Sequence, residues 1–384
     1  MFDYDVIIAG GGIAGSTAAK FAARGGLKTL FVERHKTPRH KPCSGIQFDY
    51  FEKILGEKIP KERLCNVELT KIKMFFPDGK SFGSDFRMFN FMRKPFDHWL
   101  NLIAQEAGAE FIDDCVCQRV DEKEDHVLVT LVKPKEKKEM QYTTKYLIDA
   151  TGLRPKIRSQ LRPEDFPKGN EGATLNYYID GTADMDPETL YQFWNLDWNN
   201  AMFAWVYMKT LEDDRDYWVV GTGCNDTNVN ERQEKFYNYI KKEFNLEGEI
   251  VKREGYKTSM NMLSKNRVWL GRERIIMIGD AAGLVDTYRG VGMDAAALSG
   301  RLAAKSILLA EKSNKKVIDI YTKLMKRITS QTTRNQEKEI RHYENNQVLQ
   351  KSLEKSLLKM GVTMFIQSKF NKIKSPEKQS LLPP

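Results

Sequence analysis

The first chemistry the chain offers comes from three glycines and a carboxylate: Gly10, Gly12 and Gly15 in GGGIAG, and Glu33 further on. A glycine at the first position allows a tight turn. The second lets a pyrophosphate approach the backbone, and the third lets a helix pack close to a strand. Phosphates placed there face free N–H groups and the positive end of a helix dipole. Glu33 falls where a carboxylate can accept from ribose hydroxyls. The elements that must hold these residues surround them. An apolar run, Val6 to Ala9, precedes the glycines, small residues follow, and a second apolar run, Thr29 to Val32, ends at Glu33. Strand, glycine turn, helix and strand within Tyr4 to Arg34 predict a dinucleotide-binding βαβ unit.

Thiols are the next candidates. Cys43, Cys65, Cys115, Cys117 and Cys224 are odd in number, irregularly spaced and free of any CxxC pair. That pattern predicts neither a disulfide framework nor a zinc or iron–sulfur centre. The five histidines show no ligand spacing, so no metal is expected. Cys115 and Cys117 alternate within a predicted strand and read as packed apolar residues. Cys43 differs, because it lies in a basic loop, RHKPCSG, bracketed by proline and glycine just after the βαβ unit. Such a thiol is either a reactive group or simply buried.

At 384 residues and 41% hydrophobic content, the chain can form two or three units around sizeable cores. No run reaches the about 18 apolar residues of a membrane span, and the first strand leaves no room for a signal peptide. A cytoplasmic setting is expected, with peripheral contact at a membrane surface as an option. The formal net charge is +9, and residues 301–384 hold 18 Lys/Arg against 7 Asp/Glu, a net +11 that leaves −2 for residues 1–300. A basic tail can meet anionic lipid, an acidic partner or only solvent. Nucleic acid is not expected as a partner.

After the Cys43 loop a helix is predicted to begin near Gln47. Residues 67–90 read as a hairpin turning at Pro77-Asp78-Gly79-Lys80. A helix from about Pro95 to Ala107 shows core spacing at Phe96, Trp99, Leu100 and Ile103, and a strand follows it. A meander with a charged turn near 133–139 then runs into Asp149-Ala150-Thr151-Gly152. Residues 170–262 predict antiparallel sheet interrupted by one helix at about 230–245. Strand, loop and a long small-residue helix return at RIIMIGDAAGLVDTYRGVGMDAAALSGRLAAKSI, and the remainder reads as helical and charged. The expected fold class is α/β. A Rossmann-like domain spans 1–66, 91–165 and 268–310, an inserted antiparallel sheet domain spans 67–90 and 166–267, and a helical basic region covers 311–384.

Over roughly residues 3–310 these motifs, in this order, resemble flavoproteins of the para-hydroxybenzoate hydroxylase fold, and among them the geranylgeranyl reductase family. The resemblance implies FAD as cofactor. It places Gly10, Gly12, Ala14, Gly15, Glu33 and Arg34 at the adenosine and pyrophosphate end. Cys43, Ser44 and Gly45 match a segment that lies over the flavin, and MRKPFDHWL matches one whose arginine, Arg93, reaches the cofactor. IDATGLRPKIRSQL, with Gly152, matches the strand-end motif. IGDAAGLVDTYRGVGMDAAALSG matches the second fingerprint, with Gly279, Asp280, Gly290, Val291, Gly292 and Met293 toward the cofactor. Residues 203–223 resemble a YxWxFPK strand followed by a GxG strand. Trp205, Lys209 and Gly221-Thr222-Gly223 fit that pattern, whereas Met208 replaces its proline. The loop between the strands is acidic (Glu212, Asp213, Asp214), and Asp286-Thr287-Tyr288 replaces an asparagine–proline pair.

The function implied by the resemblance is FAD-dependent reduction of isoprenoid double bonds, on a geranylgeranyl lipid, a prenyl diphosphate or a prenylated quinone. Cys43 and Trp205 are the residues expected to take part in catalysis. Phe75, Phe76, Tyr177, Tyr178, Phe193, Trp194, Phe203 and Trp205 are candidates to line an apolar pocket. Two alternatives stay open: a flavin monooxygenase or halogenase, and an electron-transfer flavoprotein that passes electrons to quinone. The electron donor is NAD(P)H or reduced ferredoxin. Residues 356–374 mix apolar residues and lysines as an amphipathic surface helix would, or as a helix packed on the protein's own body.

Overall fold

The computed structural model describes residues 2–65, 67–166, 171–226, 228–259, 267–287 and 290–369. The opening βαβ unit forms as β1 (Tyr4–Ala9), α1 (Ile13–Arg24) and β2 (Thr29–Val32), with β1 and β2 parallel. Next come β3 (Ile46–Phe48), α2 (Phe51–Leu55) and α3 (Lys61–Leu64). The helix expected near Gln47 therefore starts later, at Phe51. Ile46, Gln47 and Phe48 instead pair with Asn90, Phe89 and Met88, and this tertiary edge overrides local propensity.

The hairpin forms as β4 (Leu69–Phe75) and β5 (Ser81–Asn90), turning at Gly79 with φ +83°. Then α4 (Arg93–Glu106) begins two residues before Pro95, leaving the proline in the first turn, where its missing N–H breaks no helical bond. The meander is β6 (Glu110–Ile112), β7 (Val116–Glu122), β8 (Val127–Lys133) and β9 (Lys138–Asp149), followed by α5 (Lys156–Leu161). The inserted sheet supplies β10 (Glu171–Thr182), β11 (Thr189–Phe193), β12 (Ala204–Thr210), β13 (Asp216–Cys224), α6 (Val229–Glu243) and β14 (Glu247–Ser259). The chain ends with β15 (Gly271–Arg272), β16 (Ile275–Met277), α7 (Met293–Ala310), α8 (Val317–Gln336) and α9 (Asn346–Lys369).

The strands make two sheets. The first has the order β15-β16-β9-β1-β2-β6, parallel from β16 to β6, with the β7–β8 hairpin joined to β9. Its strands read Val-Ile-Ile-Ala and Thr-Leu-Phe-Val and are buried throughout, as a sheet covered on both faces requires. The second has the order β14-β10-β13-β12-β11-β4-β5-β3, antiparallel apart from the β11–β4 pair. It unites the two segments expected to form one inserted domain and adds β3 to them.

Small residues bring α1 against α7: a side chain at Gly300 would collide with the Ala14 carbonyl. Helix α8 joins the same core through Val317, Tyr321, Met325 and Ile328, and Tyr321 donates to the Met277 carbonyl (3.1 Å). Each such side chain, fully buried, contributes about 1.5–3 kcal/mol. Leu349 and Leu353 of α9 pack with Trp194 and Phe203, which flank β11 and β12 of the second sheet. The helical segment thus covers both sheets. Among the described residues no helix is long and apolar enough to cross a membrane. Most of the stretch at 356–374 lies outside the side chains described.

Candidate active site

The glycine turn is shaped for a dinucleotide. Gly10 has φ +116°, and a side chain on it would run into the Ala150 carbonyl. A side chain on Gly15 would collide with the Gly10 carbonyl. Above Gly12, by contrast, a methyl would meet only the Arg39 guanidinium at 3.4 Å, which leaves room for a ligand. Helix α1 has no acidic residue in its first turn and no side-chain cap, so its N–H groups face that space. Asn101 donates to the Gly11 carbonyl (2.8 Å) and to Ser16 Oγ (2.7 Å), and its own Oδ1 is a buried acceptor without a partner. The uncapped N-terminus, the open ground and this idle acceptor fit a bound dinucleotide.

Glu33 is buried and accepts from the backbone N–H groups of Gly11 (3.2 Å) and His35 (3.1 Å) and from Arg39 Nη2 (3.1 Å). Arg39 also donates to Asp97 (2.8 Å), and Asp97 takes a fork from Arg93, Nε at 2.7 Å and Nη2 at 2.8 Å. Burial alone would raise the Asp97 carboxyl, but the two guanidiniums outweigh it and hold the group below the usual range. Burial would lower Arg93, yet Asp97 and then the Cys43 thiol keep it more firmly protonated than usual. The expected cofactor residue Arg93 is therefore committed to Asp97 and Cys43. The motifs alone do not single out Arg39 or Asp97, although the four-residue Arg93–Asp97 spacing on a helix is a usable signal. Arg34 is exposed, within electrostatic reach of Tyr256, which Asp280 and Arg154 also influence. Gly152, φ +82°, borders open space.

The second fingerprint folds against the first. Gly279, φ +55°, would bring a methyl within 3.1 Å of Ala14 and 3.3 Å of Ala296. Its N–H donates to Ser299 Oγ at 2.9 Å. Asp280 lies 3.8 Å from Lys41 of the Cys43 loop, and a methyl on Gly292 would be 3.5 Å from Asp280. Val291 and Asp286 exchange backbone hydrogen bonds (2.9 and 3.1 Å), and Met293 opens α7. Tyr288 and Arg289 of this motif lie outside the described residues. Helix α8 clamps the loop: Asn335 donates to the buried Asp286 carboxylate (2.6 Å) and Gln336 to the Gly283 carbonyl (3.1 Å). Gly290, φ +66°, abuts Met202, whose sulfur would sit 2.7 Å from an added methyl, so this loop meets the second sheet beside Phe203 and Trp205.

Between the two sheets runs the Arg39–Gly45 strap, with Cys43 half-buried near its end. His40 Nε2 lies 2.7 Å from Glu254 of β14, and Lys209 of β12 donates to the Ser44 carbonyl, to Asn90 Oδ1 (3.0 Å) and to the Phe91 carbonyl (3.2 Å). Gly45, φ +68°, admits no side chain, because one would overlap the Phe91 carbonyl. The sheet beneath presents two registered rows. Tyr207, Val219 and Tyr178 form one, and Trp205, Gly221, Asn176 and Glu254 the other. Trp205 Nε1 donates to Asn176 Oδ1 (2.8 Å) across Gly221, where any side chain would collide with both.

Tyr178 donates to Glu254 (3.0 Å). Burial opposes ionisation of Glu254, but His40 and Lys252 outweigh it and bring the carboxyl down to about 2. Burial raises both phenols, Tyr178 and Tyr207, and Glu254 raises them further. Burial also lowers Lys209 to about 8. Cys115 and Cys117 are buried, and burial pushes both thiols up, Cys115 to about 11. Of the aromatic candidates, Tyr178, Trp205, Trp194, Phe203 and Phe76 lie on the site side. Phe75, Tyr177 and Phe193 pack under α6 instead, because strand alternation turns them to the other face.

The chain resembles known proteins over most of its length. A family model described as pyridine nucleotide-disulphide oxidoreductase matches residues 4–176. The geranylgeranyl diphosphate reductase of Rhodobacter capsulatus is 26% identical over 321 residues, covering 81% of this chain and 77% of that one. The digeranylgeranylglycerophospholipid reductase of Sulfolobus acidocaldarius is 26% identical over 318 residues, covering 80% and 69%. The chain is thus similar to geranylgeranyl reductases over about four fifths of its length. A geranylgeranyl bacteriochlorophyll reductase-like protein from Thermoplasma acidophilum shares the fold with a TM-score of 0.76 at 22% identity, covering 91% of this chain and 90% of that one. The likeness to this group read from the motifs thus extends over most of the chain, and a flavin is the cofactor indicated.

Proposed function

We propose that this protein is an FAD-dependent reductase of isoprenoid carbon–carbon double bonds, with a geranylgeranyl group as substrate. One observation supports this most strongly: the Cys43 thiol lies beside Arg93 and within electrostatic reach of Tyr178 and Tyr207, on the strap next to which two dinucleotide fingerprints converge. A bound reduced flavin would supply hydride to one alkene carbon. The chain's own residues must do the rest. An isolated alkene accepts hydride poorly, so both carbons must be held in line in a dry site. Trp205, half-buried and latched to Asn176, gives a rigid apolar surface for a flat trisubstituted alkene. Cys43 would donate the proton to the second carbon. NAD(P)H or reduced ferredoxin would return electrons.

The test is product analysis without oxygen. Dithionite-reduced protein incubated with geranylgeranyl diphosphate, or with a digeranylgeranyl phospholipid, is expected to add two hydrogens per saturated double bond. Unchanged isoprenoid under argon, with an oxygenated product once air is admitted, would replace this reading with a monooxygenase. Cofactor released by heat should chromatograph as FAD.

A further inference from the structure

Lys209 poses an electrostatic problem. Its side chain is 2% exposed, and its three hydrogen bonds go to the Ser44 and Phe91 carbonyls and the Asn90 amide oxygen, all neutral. A buried ammonium without a carboxylate is costly, and proteins keep one where another group compensates. The other charges nearby pair off. Arg39 and Arg93 face Glu33 and Asp97, two cations against two anions. Glu254 is met by His40 and Lys252. Among the described residues, Lys209 has no carboxylate within ion-pair distance. The ammonium sits against the carbonyl of Ser44, the residue after Cys43, and negative charge on Cys43, Glu254 or Cys65 would favour it.

We propose that Lys209 is the charge partner of an anionic Cys43 sulfur, a positioning residue that acts through the thiol. The proposal rests on the reading of Cys43 as proton donor. In that step the S–H bond breaks, its proton forms the new C–H bond at one alkene carbon, and the electron pair stays on sulfur. Hydride reaches the other carbon. The sulfur anion then stands beside one net positive charge until a solvent proton restores the thiol. Lys209 also fixes where the sulfur sits, because it grips the carbonyl of the next residue, Ser44, and the Phe91 carbonyl against which Gly45 packs. The titratable and charged groups facing the pair are Arg93 and Asp97 from α4, Tyr207 on the same strand, Tyr178 from β10, Glu254 and Lys252 from β14, and Cys65.

Two substitutions separate charge from hydrogen bonding. Lys209→Gln removes the charge and keeps N–H donors for the carbonyls, whereas Lys209→Met removes both. The rate of Cys43 alkylation by iodoacetamide is measured at about pH 7, where Lys209 carries its charge, with the labelled peptide quantified by mass spectrometry. Loss of the adjacent cation should slow labelling by about tenfold or more in both variants. An unchanged rate in Lys209→Gln, whatever Lys209→Met does, would overturn the charge role. The unmutated protein gives an independent readout. Anionic iodoacetate, relative to neutral iodoacetamide, should label Cys43 faster than it labels free cysteine, and a ratio at or below that of free cysteine would refute the proposal. Neither experiment contains an isoprenoid, so failure here and failure of the reductase reading are distinguishable.

Discussion

Asp97→Asn tests the charge network that joins the adenosine end of the site to Cys43. Asp97 is buried and accepts three charge-assisted bonds, two from Arg93 and one from Arg39, all between 2.7 and 2.8 Å. Asparagine keeps the shape but removes the charge, so the fully buried Arg93 loses its carboxylate and Arg39 is left with Glu33 alone. Breaking a buried pair by removing one partner costs about 3–5 kcal/mol. With an unfolding entropy of about 2 cal/mol/K per residue, that lowers Tm by about 4–6 °C for a chain of this length. The assay is thermal unfolding by circular dichroism for wild type, Asp97→Asn, Arg93→Met and the double variant. The double variant should lose clearly less than the sum of the singles, since removing both partners leaves no unpaired charge. A Tm within 1 °C of wild type in Asp97→Asn, or strict additivity in the cycle, would refute the reasoning.

Other perturbations give separate checks. Gly221→Ala forces a methyl between Trp205 and Asn176, and should cost about 1–3 kcal/mol, shift tryptophan fluorescence and lower activity. Glu254 has a depressed folded-state pKa, so its stabilisation is complete above about 4.5 and is lost as pH falls toward about 2; the stability gap between wild type and Glu254→Gln should close across that window. Lys209 is also depressed, from 10.5 to about 8, but as a cation it has the opposite consequence. The unfolded chain binds the proton more tightly, so wild-type stability should rise relative to Lys209→Met between pH 8 and 10.5, and a flat difference curve would contradict the shift.

What the sequence could reveal follows from how local each requirement is. Gly10 and Gly15 are dictated by carbonyls that leave no space for a side chain, and such positions accept glycine alone, so the fingerprint is visible in one chain. The hairpin at Gly79 and the alternating strands of the second sheet are local in the same sense. The strap is not. Lys209 meets Ser44 across 165 positions and His40 meets Glu254 across 214, and no periodicity links such partners. Gln47 shows the converse error, where a helix start was expected but pairing with β5 pulled three residues into a sheet edge. Aromatic content in the strands was legible, but not which face each ring takes, and Phe193 and Trp194 show the difference on adjacent residues.

The most direct test of the central reading is an anaerobic spectral titration. Protein whose flavin has been reduced with one equivalent of dithionite is mixed under argon with a geranylgeranyl substrate, and flavin absorbance is followed alongside product mass. The reading predicts reoxidation under argon, with one flavin oxidised for each double bond saturated. A flavin that stays reduced until oxygen is admitted, with the isoprenoid unchanged, would contradict it.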